Sequence, residues 1–346
     1  MESLPDVTDF FATLQTPLTP LLPSSWAGEA LFAGLQGRSD LLHTAALWTT
    51  AFGLTIVLRA ANERWHFAGF SRAQEARKAR FTKLRFLDRG ARALPVSPPR
   101  RHLLVKDVKV FMRDVSQWSQ LLLLFALVLV YLYNFSVLDL DRIPYVTDVV
   151  KGVYALVNLG MGGLVMATIA VRFVFPAVSS EGAAFWIIRA SPVSMRDFLW
   201  SKFWVGLVPV LLLTEGLTIA ANEVLGVDPV LKLVAAGAVF GLGFALVGLA
   251  TGLGARYPRF DADNATQVAG SYGGIMFMIL AVSVVLVVIG LAGWPASRYL
   301  WYSAHGMTVP WAQHVLMAAC FGAATSLCAL TCWFGMRSGV RALASM

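Results

Sequence analysis

Seven stretches of this chain, at about 41–60, 120–137, 151–175, 203–222, 230–254, 272–293 and 312–335, are long and apolar enough to cross a lipid bilayer. A helix needs about 20 mostly apolar residues to span the hydrocarbon, because each backbone polar group there must be satisfied within its own segment. The runs are rich in Leu, Val, Ala and Gly and lack the period-2 alternation of a membrane strand, which favours helices over a barrel. Composition agrees: 57% of the 346 residues are hydrophobic and 14% are charged, whereas soluble domains carry about 25% charge. An ordinary cytosolic enzyme and a disordered tail are both excluded. The three cysteines, Cys320, Cys328 and Cys332, share one apolar run, so no disulfide framework is indicated. The expected fold class is an all-α polytopic membrane protein of about seven transmembrane helices.

Orientation follows from where the positive charge falls. Residues 61–120 carry fourteen basic and five acidic groups, more than the whole net charge of +8. With that segment in the cytoplasm, the same side receives Arg189, Arg196 and Lys202, then Arg256 and Arg259, then Arg337 and Arg341. Arg38, Arg142, Lys151, Lys232 and Arg298 are left outside, so 23 of the 28 basic residues lie inside. The expectation is a multi-pass protein of a prokaryotic plasma (inner) membrane with its C-terminus in the cytoplasm. Residues 1–40 are acidic, hold Pro17, Pro20 and Pro23, and lack the basic start of a signal peptide. They form an extracytoplasmic N-terminal segment in this reading, with an amphipathic stretch at 26–35 resting on the outer surface.

The first span, 41–60, leads into a basic cytoplasmic linker at 61–103. Its charge reads as anchoring on anionic head groups rather than a nucleic-acid surface, since the positive-inside rule already demands it. Pro95, Pro98 and Pro99 break any helix there and mark a joint. Beyond it, Leu104, Val108, Phe111, Val115 and Trp118 recur at steps of 4, 3, 4 and 3, one face of an α-helix, while Lys106, Lys109, Arg113, Asp114 and Gln117 take the other. Such a helix, at 104–119, should lie in the inner interface with its apolar side toward lipid.

The loop at 176–202 is expected to form two short helices about a turn. Ser180 is placed to cap the first, Phe185, Ile188 and Arg189 fall within one turn of each other, and Pro192 ends it. Ser194 followed three residues later by Asp197 is a capping-box pattern for the second. Phe185, Trp186 and Ile187 make this loop too apolar to stand free in water, which marks lipid contact or a docking site.

An inner interfacial helix, six following spans with both ends inside, and a helical loop between the second and third of those spans resemble the permease of an ABC type-2 exporter. The loop carries the likeness: Ser179-Ser180-Glu181-Gly182, then Trp186, then Ala190-Ser191-Pro192-Val193-Ser194, then Lys202. The resemblance covers residues 104–341. It implies that 104–119 is an elbow helix (Val108, Phe111, Arg113, Val115, Trp118) and that 120–341 is a six-helix permease domain. It also implies that the 176–202 loop is a coupling element seated on a separate ATP-binding subunit. The contact residues implied are Glu181, Gly182, Phe185, Trp186, Arg189, Pro192, Ser194, Arg196 and Asp197, joined by Arg256 and Arg259 from the next inner loop. The partners so implied are that ATPase, a second permease in a homodimer or heterodimer, and membrane lipids, with no nucleic acid. Residues 1–103, with their additional span, depart from the six-span pattern.

The chain contains no Gly-x-x-x-x-Gly-Lys-Ser/Thr and no soluble stretch long enough for a nucleotide-binding domain. It is therefore expected to bind no cofactor and to be no enzyme, with ATP and Mg held by the partner subunit. Within the spans Glu215 is the only deep acid, and a buried charge needs a reason. Glu215 and Asn158 are candidates for a translocation path, or Glu215 for a buried pair with Asn158 or Lys232. Gly237, Gly241, Gly248 and Gly252 on the fifth span, with Gly160 and Gly163 on the third, permit close helix approach, within the chain or at a dimer seam. No catalytic or metal-binding set emerges. Cys328 and Cys332, four apart, read as small apolar packing. The alternatives are an ion-driven secondary transporter, for which Pro209 interrupts the fourth span but no internal repeat is seen, and an intramembrane enzyme, for which Glu215 alone supplies too little chemistry.

Overall fold

The computed structural model describes residues 22–75, 97–113, 121–122, 125–126, 128–130, 133, 148–262 and 264–346. Every regular element among them is helical. The chain divides into two units, with the boundary between Lys83 and Leu84.

The first unit holds α1 (Pro23–Leu35) and α2 (Leu41–Glu75), which pack on each other. Asp40 caps α2, accepting from the His43 backbone N–H at 3.1 Å and pairing with His43 Nδ1 at 2.6 Å. The helix then runs fifteen residues past the expected end of the span at residue 60. Trp48, Phe52, Ile56 and Leu58 are exposed along it, as a lipid-facing helix requires.

In the second unit, α3 (Pro98–Arg113) starts six residues before the expected 104. Pro98 and Pro99 open this helix rather than break it: in a first turn the N–H that proline lacks would have had no partner. Of the expected elbow residues, Val108 and Phe111 are half-buried on α3. Val115, Trp118 and the Arg113 side chain lie outside the described residues, as does most of the expected 120–137 span. The other helices are α4 (Asp148–Ile169), α5 (Phe185–Ala190), α6 (Met195–Val224), α7 (Pro229–Arg256), α8 (Ala265–Ala269), α9 (Tyr272–Ala304) and α10 (Trp311–Ser345). Six helices among the described residues are long and apolar enough to cross a membrane: α2, the helical stretch Leu156–Ala190, α6, α7, α9 and α10. The protein is an all-α polytopic membrane protein.

Helix α7 is the hub, packing against α4, α6, α9 and α10. Its glycines explain how closely. A Cβ on Gly248 would stand 2.6 Å from Cys332 Sγ, and one on Gly252 would stand 2.0 Å from the Gly335 carbonyl oxygen of α10. On α4, Gly163 meets Val285 of α9 in the same way, at 2.7 Å. Without side chains at these points the backbones come together and dispersion replaces the hydrophobic effect, which is absent between helices in lipid. Gly248 and Gly252 are thus used within the chain, while Gly237 faces open space.

Pro209 does not interrupt its span, because α6 runs unbroken through it from Met195 to Val224. The proline leaves one carbonyl without its usual donor, a defect that neighbouring helices compensate in membrane proteins. Near the other end of α6, Asn158 Nδ2 donates to Asn222 Oδ1 at 3.2 Å, both residues fully buried, and Lys232 pairs with Glu223 at 2.7 Å. Neither pair weighed for Glu215 is therefore formed, and Asn158 ties α4 to α6. Glu215 itself is half-buried on α6.

Candidate functional site: the 176–202 hairpin

Helix α4 ends in steps. A π turn at Ala170–Val174 passes into a 3₁₀ turn at Phe175–Ala177 that contains Pro176, and a second 3₁₀ segment, Ser179–Ala184, leads to α5. The helical pitch thus changes before the hairpin is reached, with Pro176 in the first turn of the 3₁₀ segment. Gly182 (φ +54°, ψ −141°) makes the turn, in a region that side chains disfavour. The sequence pattern makes Ser180 the expected cap of the first helix. Instead Ser180 Oγ donates to the Ala177 carbonyl within the 3₁₀ run, and α5 starts five residues later without a side-chain cap. The second cap does form: Ser194 Oγ accepts from the Asp197 N–H at 3.1 Å and starts α6.

Behind the hairpin lies a buried ion cluster. Lys202 of α6 has a side chain only 6% exposed, and its Nζ sits 2.9 Å from Asp107 Oδ1 of α3 and 2.5 Å from Glu181 Oε1. Lys106 closes the set, with Nζ at 2.6 and 2.8 Å from the two Glu181 oxygens. Each buried carboxylate thus has a positive partner, which burial of charge requires. Burial alone would raise the Glu181 pKa. The charge of Lys202 and the hydrogen bonds from both lysines outweigh it and hold the carboxyl below the usual range. Arg100 adds a second tie by bonding the Asp197 carboxylate, so α3 is clamped to α6 at two points. Ser179 Oγ accepts from the Arg259 N–H at 3.0 Å, which joins the hairpin to the loop after α7.

The expected docking residues divide into two groups. Phe185 turns inward: it is 8% exposed, stacks on Phe260 with ring centroids 4.7 Å apart, and lies beside Phe198. Buried there, it forms an apolar plug between α6 and the Phe260 loop. Glu181 likewise points into the ion cluster, and Gly182 serves the turn. Trp186 (67% exposed) and Ile187 (55%) stand outward. Arg189, Pro192, Ser194, Arg196, Arg256 and Arg259 are also exposed, and Asp197 is half-buried. The outer surface is thus a Trp–Ile ridge beside several arginines.

The sequence reading missed Asp107. It falls three residues after Leu104, on the apolar stripe of α3, where a carboxylate signals a buried cation partner. Among the described residues no cluster of His, Cys, Asp or Glu is suited to hold a metal.

A family model described as "Putative ATP-binding cassette" matches residues 2–346. No curated protein matches the chain, and no solved structure does.

Proposed function

The chain belongs to that ATP-binding cassette family, and from this premise we propose that it is the membrane-embedded permease subunit of an ATP-driven exporter. ATP and Mg are bound by a separate chain. Two features support this division of labour. The sequence has no phosphate-binding Gly-x-x-x-x-Gly-Lys-Ser/Thr loop, and its long helices are apolar enough for lipid. The observation that carries the proposal is the hairpin, an exposed Trp186–Ile187 ridge on a base held by buried ion pairs.

An anchored base with a greasy outer edge is suited to transmit force. When the ATP-binding subunits close on nucleotide, they press on Trp186, Ile187 and the flanking Arg189, Arg256 and Arg259. Lys202 passes the displacement to α6 and, through Asp107, to α3. The spans then rock and release the substrate outward. The permease works as a dimer with two ATPase copies in a prokaryotic plasma membrane. The hairpin and C-terminus face the cytoplasm, the side that receives most of the basic residues.

The test is co-purification. The tagged chain, extracted in mild detergent, should retain a subunit bearing a phosphate-binding loop. Replacing Trp186 and Ile187 together with Ala should release it while the permease stays folded. Retention by the double variant would overturn the assignment of the hairpin.

A further inference from the structure

A cleft of about 800 Å³ lies between α6, α7 and α10, and it meets the hairpin only at Arg196 and Trp200. Its walls are apolar, with Trp200, Phe240, Phe244 and Trp333 among the side chains that line it. One end carries three guanidinium groups, Arg196, Arg337 and Arg341. No carboxylate lines the cleft, and none of the three arginines makes an ion pair among the described residues. The neighbouring Asp197 is engaged by Arg100. Arg337 stands 4.8 Å from the centroid of the Trp333 ring, which holds its stem along the wall.

We propose that this cleft is a binding site for an anionic phospholipid, with the head group on Arg196, Arg337 and Arg341 and an acyl chain against Phe240, Phe244 and Trp333. The dimensions fit one leaflet. From Arg341 to Thr325, the lining residues of α10 span sixteen positions, about 24 Å at helical rise. Half of a hydrocarbon core is about 15 Å, which leaves the arginines at head-group depth. A second copy of this chain fits poorly. A two-fold contact brings the same patch of both subunits together and would oppose two sets of three arginines with no acid among the described residues that line the cleft. An ATP-binding subunit would reach only the charged end. The proposal does not depend on the permease assignment, since it needs only that α6, α7 and α10 lie in a membrane.

The full chain is reconstituted in nanodiscs of phosphatidylcholine with a trace of photoactivatable lipid, either phosphatidylglycerol or phosphatidylcholine carrying the same labelled chain. The glycerol lipid should label peptides from 237–244 and 325–336 about fivefold or more over the choline lipid, the preference that even one arginine gives near an anionic head group. R196Q, R337Q and R341Q together should bring the two probes level while labelling of α2 stays unchanged. Equal labelling of the cleft by both probes in the wild-type chain would overturn the proposal. So would absence of lipid label together with cross-linking of Trp333 between two copies.

Discussion

At the α7–α10 seam, helices are held together by what is missing: Gly248 and Gly252 lay bare backbone against Cys332 and Gly335, and no charge takes part. At the hairpin, helices are held by what is present, because Lys202 sits between Asp107 and Glu181 with Lys106 behind. The seam joins the apolar faces of two helices of membrane-spanning length, where a charge is costly and close approach is an available source of cohesion. The hairpin lies past the π turn of α4, where ion pairs can be buried with every charge answered. The two regions should therefore fail in opposite ways. Added atoms break the seam, and lost charge breaks the hairpin.

The largest effect is expected from Gly252→Val, whose side chain would enter the Gly335 backbone. Overpacking against backbone should cost more than about 4 kcal/mol, seen as loss of the monodisperse protein in detergent. Gly216→Val on α6 meets nothing within 4 Å and should lower the melting temperature only slightly. Equal damage from both would remove the distinction. Next is Lys202→Met, which keeps volume and removes charge. Breaking a buried pair from one side should cost roughly 3–5 kcal/mol, measured by thermal melting, with the 176–202 segment losing hydrogen-exchange protection first.

Much of the fold was legible because bilayer physics is strict. Long apolar runs can hardly be anything but helices, and five of the seven expected spans coincide with described helices of the second unit or with α2 in the first, with a sixth in the stepped α4. The Ser194–Asp197 cap was equally readable, since it depends on two residues three apart. Asp107–Lys202 is legible only by half: a carboxylate on the apolar stripe of α3 asks for a cation, but that cation lies 95 positions away. Phe185 and Trp186 are adjacent and alike in the sequence. Only the placement of Phe260 decides which one turns in. Pro98 and Pro99 are ambiguous for a related reason: a proline that ends one helix has the same local signature as one that begins another.

A smaller effect is expected from Ser194→Ala, about 1 kcal/mol for a lost N-cap, visible as earlier melting of the start of α6. Acid sharpens the contrast. Glu181 is held below the 4.5 of a free glutamate. Its contribution is therefore present above pH 4.5 and lost as pH falls through the lower native value. Hairpin protection should hold constant from pH 7 to 5 and decline only below about 4.5, while the seam, which has no titrating group in contact at Gly252 and Gly335, should not respond. The smallest effect on stability belongs to Trp186→Ala with Ile187→Ala, within about 0.5 kcal/mol, because both side chains already stand outside the packed interior.

The account's central claim is that this outward ridge is gripped by a separate ATP-binding chain. A photo-cross-linking amino acid at position 187, in the chain expressed in its own membrane, tests it most directly. The account predicts a covalent adduct with a protein that carries a phosphate-binding loop, and no such adduct from the same group at the exposed position 219 of α6. Labelling of lipid alone from position 187, with the hairpin intact, would contradict it.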